Sequence, residues 1–167
     1  SEVFIDGIQE MDTLKTTLRF VEEKQLLTSS INLPYFNFND NEINGLKLDL
    51  NSGEKNFHLN FGFDNVKAGP LNIAKTEILG EFKNKRLDLN LKALKDDKVF
   101  FNSSISTTFE DDELYRINVS SDSLIISGLL WSIPENNQIL YQKDSIEVSD
   151  FVVSRKGQEI KMTDDFE

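Results

Sequence analysis

The one imidazole of the sequence, His58, would have to serve in any Ser-His-Asp relay or histidine-ligated metal site. It falls inside Phe57-His58-Leu59-Asn60-Phe61, where alternate residues share a side, so its companions are the amides Asn56 and Asn60. No G-x-S-x-G elbow supplies a nucleophile. His58 therefore reads as a solvated surface imidazole. The carboxylates cluster at Glu22-Glu23, Asp96-Asp97, Glu110-Asp111-Asp112-Glu113 and Asp164-Asp165. Adjacent acids on an extended strand point to opposite faces, and an acid pair working on a glycoside needs a set separation and one buried member. These runs read as solvated turns. Asn37, Asn39, Asn41 and Gly45 hint at an oxygen-rich calcium loop, but the acidic start and the bidentate Glu at its twelfth position are missing. Asn102-Ser103-Ser104 and Asn118-Val119-Ser120 match a glycosylation sequon, a pattern short enough to arise by chance. With no cysteine and no glycine-rich phosphate loop, the chain reads as a non-enzyme that carries no cofactor and no metal.

The bulk composition narrows the partners. Of 167 residues 38% are hydrophobic and 28% charged, with 13 Phe against a single Trp, enough apolar material to build a core. A net charge of -11 repels phosphates, so nucleic acid is excluded as a partner and electrostatic docking on an anionic membrane is disfavoured. No apolar run approaches the ~20 residues of a helical membrane span. The opening Ser1-Glu2 reads as the cut end of a longer chain, with targeting and anchoring segments outside it.

What must position these side chains is a set of strands. Leu46-Lys47-Leu48-Asp49-Leu50, Phe57 to Phe63 and Leu87-Asp88-Leu89-Asn90-Leu91-Lys92-Ala93 alternate apolar and polar residues, giving each strand one greasy and one wet face. Leu124 to Trp131 is apolar on both parities and predicts a more deeply buried strand. Ile139 to Tyr141, Ile146 to Val153 and Ile160 to Met162 complete the set, with a bulge expected near Ser149-Asp150. Turns are predicted at Asn39-Asp40-Asn41, Asn51-Ser52-Gly53, Lys95-Asp96-Asp97, Asp111-Asp112, Glu135-Asn136-Asn137 and Lys156-Gly157. Pro34, Pro70 and Pro134 fall at strand starts or turns. The one segment compatible with a helix, Gln9 to Lys24, contains Thr16 to Val21, which reads as strand. The expectation is an all-β, antiparallel meander over residues 1–167, each strand paired with its neighbour in sequence. With no helix to cover it, such a sheet folds over as a sandwich, a barrel or a bent groove.

The segment Leu124 to Met162 resembles a known family. Leu130-Trp131-Ser132-Ile133-Pro134 followed by Asn136-Asn137-Gln138-Ile139, then Ile146-Glu147-Val148-Ser149-Asp150-Phe151 and Gly157-Gln158-Glu159-Ile160, is similar to the translocation and assembly module family TamB, in its Bacteroidetes-type form, within the wider AsmA-like group. Ile31 to Phe36, Ile43 to Leu48 and Ile78 to Leu87 read alike. The likeness covers about Leu26 to Met162, and Ser1 to Gln25 shares only its general character. These motifs are strand grammar and not a catalytic signature.

The resemblance implies an elongated sheet bent into a hydrophobic, taco-like groove. It implies a segment of a longer protein, anchored in the inner membrane and crossing the periplasm of a Gram-negative bacterium. Its implied partners are phospholipid acyl chains or nascent outer-membrane β-strands, with an outer-membrane barrel of the TamA or BamA kind reached through regions beyond this segment. Candidate groove-lining residues, on the assumption that each strand's stronger apolar parity faces inward, are Leu46, Leu48, Leu50, Phe57, Leu59, Phe61, Leu87, Leu89, Leu91, Leu124 and Ile126. About a dozen strands at about 4.8 Å would make roughly 55 Å of groove. The rival expectation is a closed β-sandwich serving adhesion or ligand binding, its apolar residues sealed inside. Open sheet edges further predict self-association of the isolated segment.

Overall fold

The alternating segments form a meander in the computed structural model, which describes residues 7–110, 114–143 and 145–163. β1 (Ile8–Met11) and β2 (Lys15–Val21) lie end to end along one edge of β3 (Leu26–Phe38), after a 3₁₀ turn at Glu22–Lys24. β4 (Asn41–Ser52) and β5 (Asn56–Phe63) follow in order; β6 (Asn65–Ala68) prolongs β5 along β4. β7 (Leu71–Ile73) and β8 (Thr76–Lys83) return beside β6 and β5. β9 (Arg86–Lys95), β10 (Lys98–Phe109) and β11 (Leu114–Val119) continue the series. β12 (Ile125–Ile126) and β13 (Leu129–Leu130) hang off β10 as a short hairpin, and β14 (Gln138–Gln142) and β15 (Ser145–Ser149) finish the sheet. β16 (Val152–Arg155) and β17 (Gln158–Lys161) form a separate two-stranded sheet. Every pairing is antiparallel. The protein is all-β, and its main sheet is open, running from β2 at one edge to β15 at the other.

Turn chemistry explains this order. Asn39-Asp40, Asn84-Lys85 and Asp96-Asp97 have positive φ at both positions, the twist that joins adjacent strands in two residues, and Asn and Asp tolerate it best. Two expectations about strands fail here. Ser127 and Gly128, both at positive φ, fold Leu124 to Trp131 into the β12–β13 hairpin and leave Leu129 and Leu130 exposed, so it is not one deeply buried strand. Asp150, also at positive φ, separates β15 from β16 in a different sheet, so the parity switch there marks a chain break between sheets and not a bulge. The turn expected at Asp111-Asp112 lies outside the described residues.

A crease crosses the sheet. It runs through Asp12–Leu14 between β1 and β2, Pro34 in β3, Gly45 in β4, Asp64 between β5 and β6, and Ala74-Lys75 between β7 and β8. β3 and β4 keep one register across it, with Leu33 opposite Leu46 on one side and Tyr35 opposite Asn44 on the other. Gly45 sits at φ +66, which strains any side chain, and a Cβ there would lie 2.1 Å from Asp64 Oδ2, so a substitution also displaces the Asp64 carboxylate. Beyond the crease the apolar parity changes: Leu33, Leu46 and Phe63 give way to Phe36, Ile43 and Val66, each three residues on or back.

Little of the apolar material is sealed. Among the described residues four apolar side chains are buried: Leu33, Leu124, Ile133 and Val153. The last three form a small core under Val119, Ile126, Trp131 and Phe151. The accessible surface is 11973 Å², whereas a compact chain of 19.1 kDa exposes roughly 8,400 Å². A sheet closed into a sandwich or barrel would not leave that excess, so the sealed-core rival fails on the fold.

Candidate functional site

Cross-strand register decides which side chains share a face. Leu48 lies opposite Ile31 and Phe61; Leu50 opposite Ser29 and Leu59; Phe57 opposite Phe82. Leu87 lies opposite Phe82, Leu89 opposite Gly80 and Ile105, and Leu91 opposite Ile78. Directly opposed residues project from the same side of a sheet. Leu46, Leu48, Leu50, Phe57, Leu59, Phe61, Leu87, Leu89 and Leu91 therefore form one continuous apolar face, each half-buried by its neighbours alone. Leu124 and Ile126 project on the same side: Ile125 lies opposite Asn102, the wet-side neighbour of Ser103, which itself lies opposite Leu91. Leu124 is buried with Val119 and Ile126 in the small core at that end of the face.

Register also reveals a feature that no single segment shows. Phe57, Phe82, Phe109, Tyr115 and Tyr141 form an aromatic row along one margin of the apolar face, with successive ring centroids 5.6, 5.7, 5.4 and 5.7 Å apart. Pairs at these distances add roughly 0.5–1.5 kcal/mol each beyond area burial. The row ties β5, β8, β10, β11 and β14 together where no second layer covers them. Gly80 supplies a dip in the same face, its missing side chain leaving room for Leu89 Cδ2 and Leu59 Cβ at 3.2 and 3.3 Å from where a Cβ would stand.

The residues between the apolar ones make the opposite face hydrophilic. A cavity of about 970 Å³ spans strands from β2 to β11. Residues of both parities line it: Asp49, Asn51, His58 and Glu81 alternate with Leu50, Leu59 and Leu89. Five carboxylates (Asp49, Glu81, Asp88, Asp122 and Glu135) and one guanidinium, that of Arg86, are among its lining residues. Arg86 donates through Nε to both Asp88 oxygens at 2.9 and 3.0 Å, and these bonds hold its guanidinium above its ordinary value. Of the residues expected to line a groove, Leu50, Leu59 and Leu89 are in the cavity's lining.

The residues first considered for chemistry are dispersed. His58 is exposed, opposite Asn51 and Glu81 in the register. Asp96-Asp97 make a tight turn, and Glu110 is held by Arg116 Nε at 2.9 Å. Asp111, Asp112, Glu113, Asp164 and Asp165 lie outside the described residues. Asn41 donates to the carbonyls of Phe38 and Asn39, both at 3.0 Å, and Asn37 donates to Tyr35 Oη at 3.5 Å, so these amides fasten a turn and do not converge on a cation. Among the described residues no group of three or more His, Cys, Asp or Glu is placed to hold a metal ion. The sequon asparagines are structural: Asn102 donates to Ser123 O at 2.7 Å, and Asn118 donates to Asn137 O. No helix among the described residues is long and apolar enough to cross a membrane.

The aromatic row and the cavity are not apparent in any single segment of the sequence. Both needed the register that places Phe82 beside Phe57 and Glu81 beside Asp88; parity alone was visible beforehand.

The fold defines an open, amphipathic antiparallel sheet. No family model, curated protein or solved structure matches the chain.

Proposed function

We propose that this chain is a non-catalytic stretch of a longer envelope protein of the TamB kind, working in the periplasm, whose uncovered apolar face carries the acyl chains of phospholipid between membranes. The observation that supports the reading is an apolar face ten strand positions wide with no second layer. Nine spacings of about 4.8 Å make it roughly 43 Å across. Moving a 16-carbon chain through water costs about 0.8 kcal/mol per methylene, on the order of 12 kcal/mol in all. A continuous run of Leu and Phe side chains lowers that barrier while the headgroup stays wet. Assisting nascent outer-membrane strands, and meeting a barrel of the TamA or BamA kind, are the companion roles of such a protein and rest on the same resemblance. The bend toward an apolar groove belongs to this proposal, and the cavity lined in part by Leu50, Leu59 and Leu89 supports it.

Binding of a 16-carbon phospholipid offered from mixed micelles, followed by native mass spectrometry, tests it. The chain should retain one or more lipids, and Leu89→Asp should reduce retention at least tenfold while Asp88→Asn leaves it unchanged. No retained lipid, or equal loss from both variants, would overturn the proposal.

A second reading has its own observation. The carboxylate and amide acceptors in the cavity's lining suit a polar or cationic ligand, which would make the chain a binding module. Asp49→Asn with Glu81→Gln should then weaken binding of a cationic peptide and leave lipid retention intact.

A further inference from the structure

The two open edges of the main sheet are complementary in direction, pattern and charge. β2 and β15 are nine strand steps apart in an all-antiparallel sheet, so the edges run in opposite directions. A second copy laid beside the first without being turned over therefore brings its β2 antiparallel to β15. Both edges are unpaired among the described residues. Leu18 and Phe20 are 72% and 59% exposed on one, and Ile146 is 43% exposed on the other.

We propose that copies of this chain extend the sheet head to tail, with Ser145–Ser149 of one pairing with Thr17–Val21 of the next. In that register Ile146 lies beside Phe20 and Val148 beside Leu18, continuing the apolar face from copy to copy. Glu147 lies beside Arg19 on the hydrophilic side. Opposite charges directly across a sheet are favourable and like charges are not. The same rule disfavours the two self-pairings, since β2 against β2 gathers Lys15 and Arg19 with their own copies, and β15 against β15 sets Glu147 facing itself. The interface is heterologous, so it propagates. Backbone hydrogen bonding along an open edge supplies the attraction. This inference goes beyond the lipid reading and does not depend on it: lipid retention needs the face, whereas this pairing needs the edges.

The chain lacks cysteine, which makes the test direct. Leu18→Cys and Val148→Cys proteins are treated with a short thiol cross-linker, separately and mixed. The mixture should give a cross-linked pair and each protein alone almost none. Arg19→Glu or Glu147→Arg, placed on both members of the mixture, should reduce the product several-fold, and both changes together should restore it. Circular dichroism on each variant confirms that the strands are intact. Equal cross-linking of each protein with itself, product indifferent to the charge changes, or no product at the highest attainable concentration would overturn the proposal.

Discussion

The side chain of Asn137 pairs with the backbone of Val119 as a neighbouring strand would. Its Oδ1 accepts from Val119 N at 2.9 Å, and its Nδ2 donates to Val119 O at 2.8 Å. Nδ2 also donates to Pro134 O, and Asn137 O accepts from Asn118. Asn137 is fully buried, at 0% exposure. β14 runs beside β11 only as far as Ile117, and this amide carries the pairing two residues further, to where Leu124, Ile133 and Val153 make their core.

Asn137→Ala strands both polar groups of Val119, at about 1–3 kcal/mol for each group left unsatisfied. We expect a loss of about 2–3 kcal/mol in urea unfolding. Asn137→Asp, nearly the same shape, should cost no less, because it removes both donations and puts a charge where water is absent. A harmless Asp at this position would show that the site is wetter than its burial implies.

Gly45→Ala should be among the most damaging small changes in the chain. It places a side chain at φ +66 and within 2.1 Å of the Asp64 carboxylate, for an expected cost of about 3 kcal/mol. Asp64→Ala alone should cost under about 0.5 kcal/mol, since its ion pair with Lys75 is 3.9 Å long and exposed. The double variant should lose less than the two singles added together. Strict additivity would separate the crease from this contact.

Much of the architecture was legible in the residues. Alternation marked β4, β5 and β9 because one face of each is greasy, and Asn39-Asp40 and Asp96-Asp97 mark turns because those residues accept positive φ cheaply. The Leu124 to Trp131 run misled because its apolar residues lie on both parities. That pattern fits a buried strand and a tight hairpin at a small core equally, and only the positive φ of Ser127 and Gly128 decides between them. The nine face residues from Leu46 to Leu91 could be grouped by parity. The crease was not legible, since it arises from irregular residues such as Gly45 and Asp64, whose cooperation across strands no single segment reveals.

Trp131 stands half-buried against the small core with its Nε1 enclosed and without a hydrogen-bond partner. Trp131→Phe removes that unsatisfied donor along with some packing, and the two effects should nearly cancel, within about 1 kcal/mol. Trp131→Ala should cost about 2–3 kcal/mol. Chemical denaturation followed by circular dichroism separates them; equal losses would mean that the indole N–H is satisfied in solution.

Asp122 accepts a hydrogen bond from Ser120 Oγ at 2.8 Å, and that bond first, then its own backbone N–H, holds its carboxyl below the ordinary carboxylate value. A lowered value means that the contribution is present above the unfolded-state value, ordinarily about 3.9, and is lost as the pH falls through the folded one. In an NMR titration Ser120→Ala should move the Asp122 carboxyl upward. An unmoved titration would remove the hydroxyl as the cause.

The account rests on which face of the sheet meets acyl chains, and photo-crosslinking in cells tests that most directly. A photoreactive residue is placed at Leu89 or at Asp88 of the full-length protein, neighbours in sequence that project from opposite faces. The account predicts lipid adducts at position 89 and none above background at 88. Equal adducts at both positions, or adducts at 88 alone, would contradict it.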